Sequence, residues 1–292
     1  MPEPAASRGE SGGGKAKNRL LGIAWPVVRT LALAWLVILL LRVWFEESLI
    51  FPARKFPHGN WEPVGLRQEE AEFQAADGTP LHGWYAAAEN PRAVILFFHG
   101  NAENVADNAW LLQMSREELG ASMLVFDYRG YGKSGGAPTE RGILEDSRAA
   151  RAWLAQRAGG PESEIVLWGR SIGGGFAVDL AARDGARGLI LESTFSSLPE
   201  VAAPQFPWLP VKSLMRTRLD SRSKIGEYRG PLLQCHGTND RVVPYPLGRK
   251  LFEAAAGPKT FIDLEGADHN DGYPEAWYAE VERFLATLPT AD

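Results

Sequence analysis

Residues 165–175, Ile-Val-Leu-Trp-Gly-Arg-Ser-Ile-Gly-Gly-Gly, decide the fold. Ile165–Trp168 is a short apolar run of the kind that forms a buried strand. Gly169-Arg170-Ser171-Ile172-Gly173 then places one serine between two glycines, each two residues away. A strand that turns sharply into a helix lifts such a serine clear of the sheet, and the turn is too tight for larger side chains at 169 and 173. Gly174 and Gly175 would let the new helix lie close on the sheet. Glycine inside a helix costs about 1 kcal/mol relative to alanine, so its presence here points to close packing.

The same strand-then-helix rhythm extends in both directions. Glu69–Ala75 and Leu81–Ala87, joined through Asp77-Gly78-Thr79-Pro80, read as an opening hairpin. Ala93–Phe98, Met123–Asp127, Gly188–Leu191, Leu232–Cys235 and Thr260–Leu264 are further short apolar runs, and helix-like stretches lie between them, Thr139–Arg157 and Tyr273–Leu288 most clearly. This alternation predicts an α/β architecture, a mostly parallel central sheet with helices on both faces. Ligand sites in such sheets form beyond the carboxyl ends of the strands.

A serine hydroxyl becomes nucleophilic when a base takes its proton and a carboxylate orients that base. His236 and His269 are the two histidines that follow Ser171. His236 ends an apolar run and reads as a support for the turn. His269, in Gly266-Ala267-Asp268-His269-Asn270-Asp271 between the last strand and the last helix, can hang over the catalytic edge and is the expected base. Asp240, in the turn Gly237–Pro244, is the expected acid, with helix capping as its plainer role. Asp263, Asp268 and Asp271 read as strand-end and loop residues. A tetrahedral intermediate needs two N–H donors at its oxygen. The expected pair is the amides of Ile172 and of Asn101 in His99-Gly100-Asn101-Ala102, with the Asn101 side chain and His99 as loop braces.

Trp168–Gly173, Asp240, His269, His99–Ala102 and Asp127-Tyr128-Arg129-Gly130-Tyr131-Gly132-Lys133-Ser134 occur in that arrangement in a chain that resembles the α/β-hydrolases of the serine-hydrolase superfamily. The resemblance covers about residues 70–288. Phe206-Pro207-Trp208-Leu209-Pro210-Val211 and Arg218-Leu219-Asp220-Ser221 make it similar to the small-lidded, often membrane-anchored branch that includes protein depalmitoylases and bacterial proteins of unknown substrate. The resemblance implies an α/β-hydrolase fold with a short lid at about 195–229. In that lid Phe195, Phe206, Trp208 and Met215 can line an acyl pocket or simply pack.

The N-terminal part is of another kind. Residues 1–19, rich in Gly, Ser, Pro and Ala, read as a disordered tail. Residues 20–45 are almost wholly apolar, with Arg29 and Arg42 as their only charges, and are longer than the roughly 20 residues a bilayer core requires. They predict one N-terminal transmembrane helix, followed by a linker at 46–68 and the hydrolase domain at 69–292. Arg8, Lys15, Lys17 and Arg19 before the span, against Glu46 and Glu47 after it, place the tail in the cytoplasm and the domain on the outer side.

The 292 residues carry a net charge of −5, but residues 46–292 alone carry −9, which repels nucleic acid. Cys235 is the single cysteine, so no intrachain disulfide forms, and no Cys/His spacing suits zinc. The expected activity is hydrolysis of carboxylic esters or thioesters of small or amphiphilic acyl substrates, with membrane lipids as neighbours and with neither cofactor nor metal. A serine-aminopeptidase-like amide hydrolase and a non-catalytic anchored binding module are the alternatives.

Overall fold

The computed structural model describes residues 25–31, 33–35, 37–38 and 45–289. The expected tail at 1–19 lies outside them, as does much of the expected span at 20–45. Among the described residues no helix is long and apolar enough to cross a membrane. The chain divides into two units, Met1–Glu46 and Glu47–Asp292, and the second contains the whole of the sheet.

The strands of this second unit are β1 (Glu69–Gln74), β2 (Pro80–Ala86), β3 (Val94–Phe98), β4 (Ser122–Asp127), β5 (Ile165–Arg170), β6 (Gly188–Glu192), β7 (Leu232–Gly237) and β8 (Lys259–Leu264). They form one sheet in the order β1-β2-β4-β3-β5-β6-β7-β8. β1 and β2 form the expected antiparallel hairpin, β2 runs antiparallel to β4, and β4 through β8 are parallel. Side chains alternate across a strand. Phe98, Leu167 and Leu191 accordingly enter the core on one face, and Phe97, Trp168 and Ile190 the core on the other.

The first face is covered by α2 (Glu140–Ala158), α3 (Ile172–Asp184) and α7 (Tyr245–Ala254); the second by α1 (Ala109–Glu117) and α8 (Glu275–Thr287). Thr139 caps α2, accepting a hydrogen bond from Gly142 N at 2.9 Å. Residues 195–229, the expected lid, hold the short helices α4 (Leu198–Ala202), α5 (Val211–Leu214) and α6 (Ser221–Ile225).

Because β4 lies on one side of β3 and β5 on the other, the connections diverge at β3. The crevice at that divergence, beyond the carboxyl ends of β3 and β5, is where open parallel sheets place their sites. Residues 99–102 and Ser171 both fall there.

Within the stretch 46–68, read as a linker, residues 51–61 pack onto the domain. Phe51 is buried in the first core, Lys55 bridges to Gly132, and Trp61 meets Trp84 edge-on at 5.5 Å between ring centroids. Beside Trp61, buried His82 has Nδ1 2.9 Å from Asp127 Oδ2, while Nε2 contacts Glu70 Oε2. Both acceptors are carboxylates, so both ring nitrogens donate and His82 is an imidazolium. Burial alone would release its proton, but the bonds to Asp127 and Glu70 outweigh burial and raise its pKa above the ordinary 6.5.

His82→Gln is therefore expected to destabilise the domain by about 3 kcal/mol, the scale of a buried ion pair that loses one partner. A group whose folded pKa is raised gives its full stabilisation below the unfolded value and loses it as pH climbs through the folded value. Urea titrations should show the wild-type advantage at pH 5.5 and show it shrinking in alkali; an advantage constant with pH would rule out the imidazolium.

Candidate active site

β5 ends at Arg170 and α3 begins at Ile172, which leaves Ser171 at φ 52°, ψ −120°. A non-glycine residue in that region stores about 1–3 kcal/mol of strain, so its surroundings must hold it there. Ser171 N donates to Glu192 O at 2.8 Å, and Ser171 O accepts from Gly174 N at 3.1 Å and from Thr194 Oγ1 at 2.8 Å. The need for glycine is equally concrete. A Cβ on Gly169 would fall 2.6 Å from Gly174 Cα, one on Gly173 2.2 Å from Phe98 O, and one on Gly174 2.5 Å from Thr194 Oγ1. Gly175 is different, since its Cβ would meet only the Leu219 side chain at 3.4 Å.

The structure brings the three expected side chains into one line. His269 Nε2 lies 3.0 Å from Ser171 Oγ, and His269 Nδ1 lies 2.7 Å from Asp240 Oδ2. The two oxygens of Asp240 divide their work. Oδ1 accepts from Val242 N at 2.9 Å and Val243 N at 2.7 Å, fixing the turn after β7, and Oδ2 faces the imidazole. The residue before α7 is Pro244, so Asp240 orders a turn and does not cap the helix. Burial would raise the Asp240 pKa, but hydrogen bonds from His236 and His269 and from the Val243 amide hold it well below the usual carboxylate range. An ionised Asp240 accepts a hydrogen bond from the Nδ1–H of His269, which leaves the Nε2 lone pair for the serine.

The other acids of this region are engaged elsewhere. Asp263 accepts from Tyr245 Oη at 2.5 Å, Asp268 from Arg241 Nε at 2.6 Å, and Asp271 from Asp268 N at 2.8 Å.

The loop after β3 is braced as expected. His99 Nδ1 bonds Gly100 O at 2.8 Å. Asn101 Nδ2 donates to Ile50 O at 2.6 Å, and Asn101 Oδ1 accepts from Tyr131 Oη at 2.9 Å. Tyr128 Oη donates to His99 O at 2.8 Å. The motif at 127–134 thus serves as a frame for this loop. A Cβ on Gly132, at φ +44°, would land 2.0 Å from Asp127 Oδ2, which explains its glycine. Ile172 is the first residue of α3, where amide groups lack intrahelical partners.

The four apolar lid candidates do not share one environment. Phe195 is 2% exposed and belongs to the first core, whereas Trp208 is 59% exposed with Phe206 at 6.5 Å, ring centroid to centroid. Met215 is half-buried at the end of α5. Residues 218–224 are tied down by Glu140, which accepts from Arg218 N at 2.7 Å and Leu219 N at 3.0 Å, and by Lys224 on Asp179 at 2.5 Å.

Glu192 escaped the sequence reading. Fully buried, it accepts from Arg170 Nε at 2.9 Å and Trp277 Nε1 at 2.7 Å, joining the serine's strand to the helix that follows the histidine loop. A carboxylate closing an otherwise apolar strand was the signal. Among the described residues no group of three or more His, Cys, Asp or Glu is disposed to hold a metal ion.

Residues 89–218 match the family model described as serine aminopeptidase, S33. The chain is 34% identical over 253 residues to the uncharacterized protein Rv2307c of Mycobacterium tuberculosis, covering 85% of this chain and 89% of that one. It is 32% identical over 229 residues to the alpha/beta hydrolase domain-containing protein WAV2 of Arabidopsis thaliana, covering 71% and 74%. The esterase Pf2001 of Pyrococcus furiosus superposes with a TM-score of 0.63 at 22% identity, over 79% of this chain and 97% of that one. A fold shared with that esterase, and about a third of the sequence shared with these relatives over most of their length, mean that the chain belongs to the α/β-hydrolase family.

Proposed function

We propose that the chain is a serine hydrolase that cleaves carboxylic esters or thioesters of small or amphiphilic acyl substrates through an acyl-enzyme. The observation that carries this reading is the unbroken line Ser171 Oγ, His269, Asp240, with 3.0 Å and 2.7 Å between successive partners. These distances are within reach for proton transfer in the ground state.

Ser171 Oγ attacks the carbonyl carbon as its proton passes to His269 Nε2, and the carbonyl oxygen takes the negative charge. The amides of Ile172 and Asn101 receive that oxygen, Ile172 aided by the positive end of α3. Collapse breaks the bond to the leaving group, which departs with the proton from His269. Water then repeats the sequence on the acyl carbon, His269 taking its proton, and restores the Ser171 hydroxyl. Asp240 stays ionised throughout and stabilises the imidazolium. In this reading residues 20–45 are a membrane anchor with the domain on the outer side, on the strength of hydropathy and flanking charge, and membrane lipids are neighbours.

The detergent-solubilised full chain should react with a fluorophosphonate, with peptide mapping placing the adduct on Ser171. Absence of an adduct from folded protein would favour a non-catalytic binding module. Parallel p-nitrophenyl ester and p-nitroanilide assays would separate ester from amide hydrolysis.

A further inference from the structure

We infer that His236 is a positioning residue of the Asp240–His269 pair, a second imidazole donor on the same carboxylate oxygen. The inference rests on the serine-hydrolase reading and goes beyond it, because a single base and a single acid would suffice for that chemistry.

His236 is fully buried at the end of β7. Its Nε2 lies 2.8 Å from Val243 O and 3.2 Å from Asp240 Oδ2, the oxygen that also receives His269 Nδ1 at 2.7 Å. A carbonyl oxygen only accepts, so Nε2 carries the proton, which it directs at Val243 O with Asp240 Oδ2 alongside at 3.2 Å. Nδ1, left with its lone pair, has no hydrogen-bond partner. The backbone of α7 presses directly on that edge of the ring, where a Cβ on Gly248 would come within 2.2 Å of Nδ1. Asp240 is thereby gripped from both sides: two backbone amides hold Oδ1 and two imidazoles converge on Oδ2.

The consequence is electrostatic as well as geometric. A carboxylate that shares its charge with a second donor attracts the proton of His269 less strongly than one facing His269 alone. Removing the His236 donor should therefore make His269 a stronger base while loosening its alignment with Ser171.

The other charged and titratable groups around this cluster are identifiable and would remain in place. The Tyr245 ring stands edge-on to His236 at 5.9 Å and bonds Asp263 on β8, which pairs with His236 in the sheet register. On the histidine loop Asp268 holds Arg241 and accepts His269 N, and Asp271 accepts Asp268 N. Across β6, Glu192 faces Arg170, and the serine contributes only its hydroxyl.

The test is the pH dependence of kcat/KM for the full chain on a p-nitrophenyl ester, whose acid limb reports the free enzyme's base. His236→Ala should move that limb upward by about half to one pH unit and lower kcat about tenfold or more. His236→Gln, whose amide nitrogen can donate from a similar place, should return most of the shift. A variant that loses thermal stability with an unmoved acid limb would reduce His236 to a packing residue and overturn the inference. Should His236→Ala fail to fold, imidazole 15N NMR of the wild-type chain decides. A protonated Nε2 and a bare Nδ1 on His236 agree with the inference, and the opposite tautomer overturns it. The parent reading stands or falls separately, on labelling at Ser171.

Discussion

Ser171→Ala is expected to lower kcat/KM on ester substrates by about 10⁴- to 10⁶-fold, with little change in thermal stability. The reason lies in how little else the hydroxyl does. Ser171 Oγ has His269 Nε2 as its partner, whereas the bonds that shape the elbow run through the Ser171 backbone to Glu192, Gly174 and Thr194. Alanine keeps those bonds and the small volume, so fold and substrate affinity persist while the bond-forming atom is gone. His269→Ala should cost about as much, and the double variant hardly more, since nucleophile and base act as one unit. Steady-state kinetics on p-nitrophenyl esters check this. Retention of even a tenth of wild-type activity by Ser171→Ala would remove the serine from the mechanism.

Gly173→Ala should be severely damaging. Its Cβ would lie 2.2 Å from Phe98 O and 2.6 Å from His99 O, and both are backbone atoms that no rotamer change can move aside. Either α3 lifts from the sheet or the end of β3 shifts with the loop that carries Asn101. A loss of about 4 kcal/mol or more is expected, the scale reached by severe overpacking. Any folded fraction should be at least about 100-fold less active, because displacements near 1 Å have that effect on aligned groups. Gly175→Ala supplies the contrast. Its Cβ would only touch Leu219 at 3.4 Å, and alanine is favoured over glycine within a helix by about 1 kcal/mol, so stability should hold or rise. Differential scanning calorimetry of the two variants, side by side, would expose an error if both melted alike.

Local signals carried most of the architecture. Apolar runs at 93–98, 165–168 and 232–235 are strands because uninterrupted short hydrophobic stretches suit a sheet covered on both faces, and the hairpin before them is marked by its Asp-Gly turn. Ser171, Asp240 and His269 were legible because each follows a strand at the edge where sites form.

What escaped depends on distance. Glu70, His82 and Asp127 meet only after β1, β2 and β4 assemble, and nothing near any one of them announces the other two. The second role of His236 was hidden for the same reason, since a turn-supporting histidine and one that also grips the acid look identical in sequence. Between residues 195 and 229, apolar character does not tell wall from filling: Phe195 is core and Trp208 faces outward. The stretch 46–68 read as a linker, yet in it Phe51 packs 6.4 Å from Phe176, ring centroid to centroid.

That last stretch has a practical meaning. The Ile50 carbonyl is what Asn101 Nδ2 holds, so the loop beside the serine is moored to chain that precedes the first strand. A shortened protein begun at residue 69 to improve solubility would cut that mooring and unseat Phe51 as well. Its silence in an assay would then report the scissors rather than the enzyme, and a useful fragment has to start no later than residue 47.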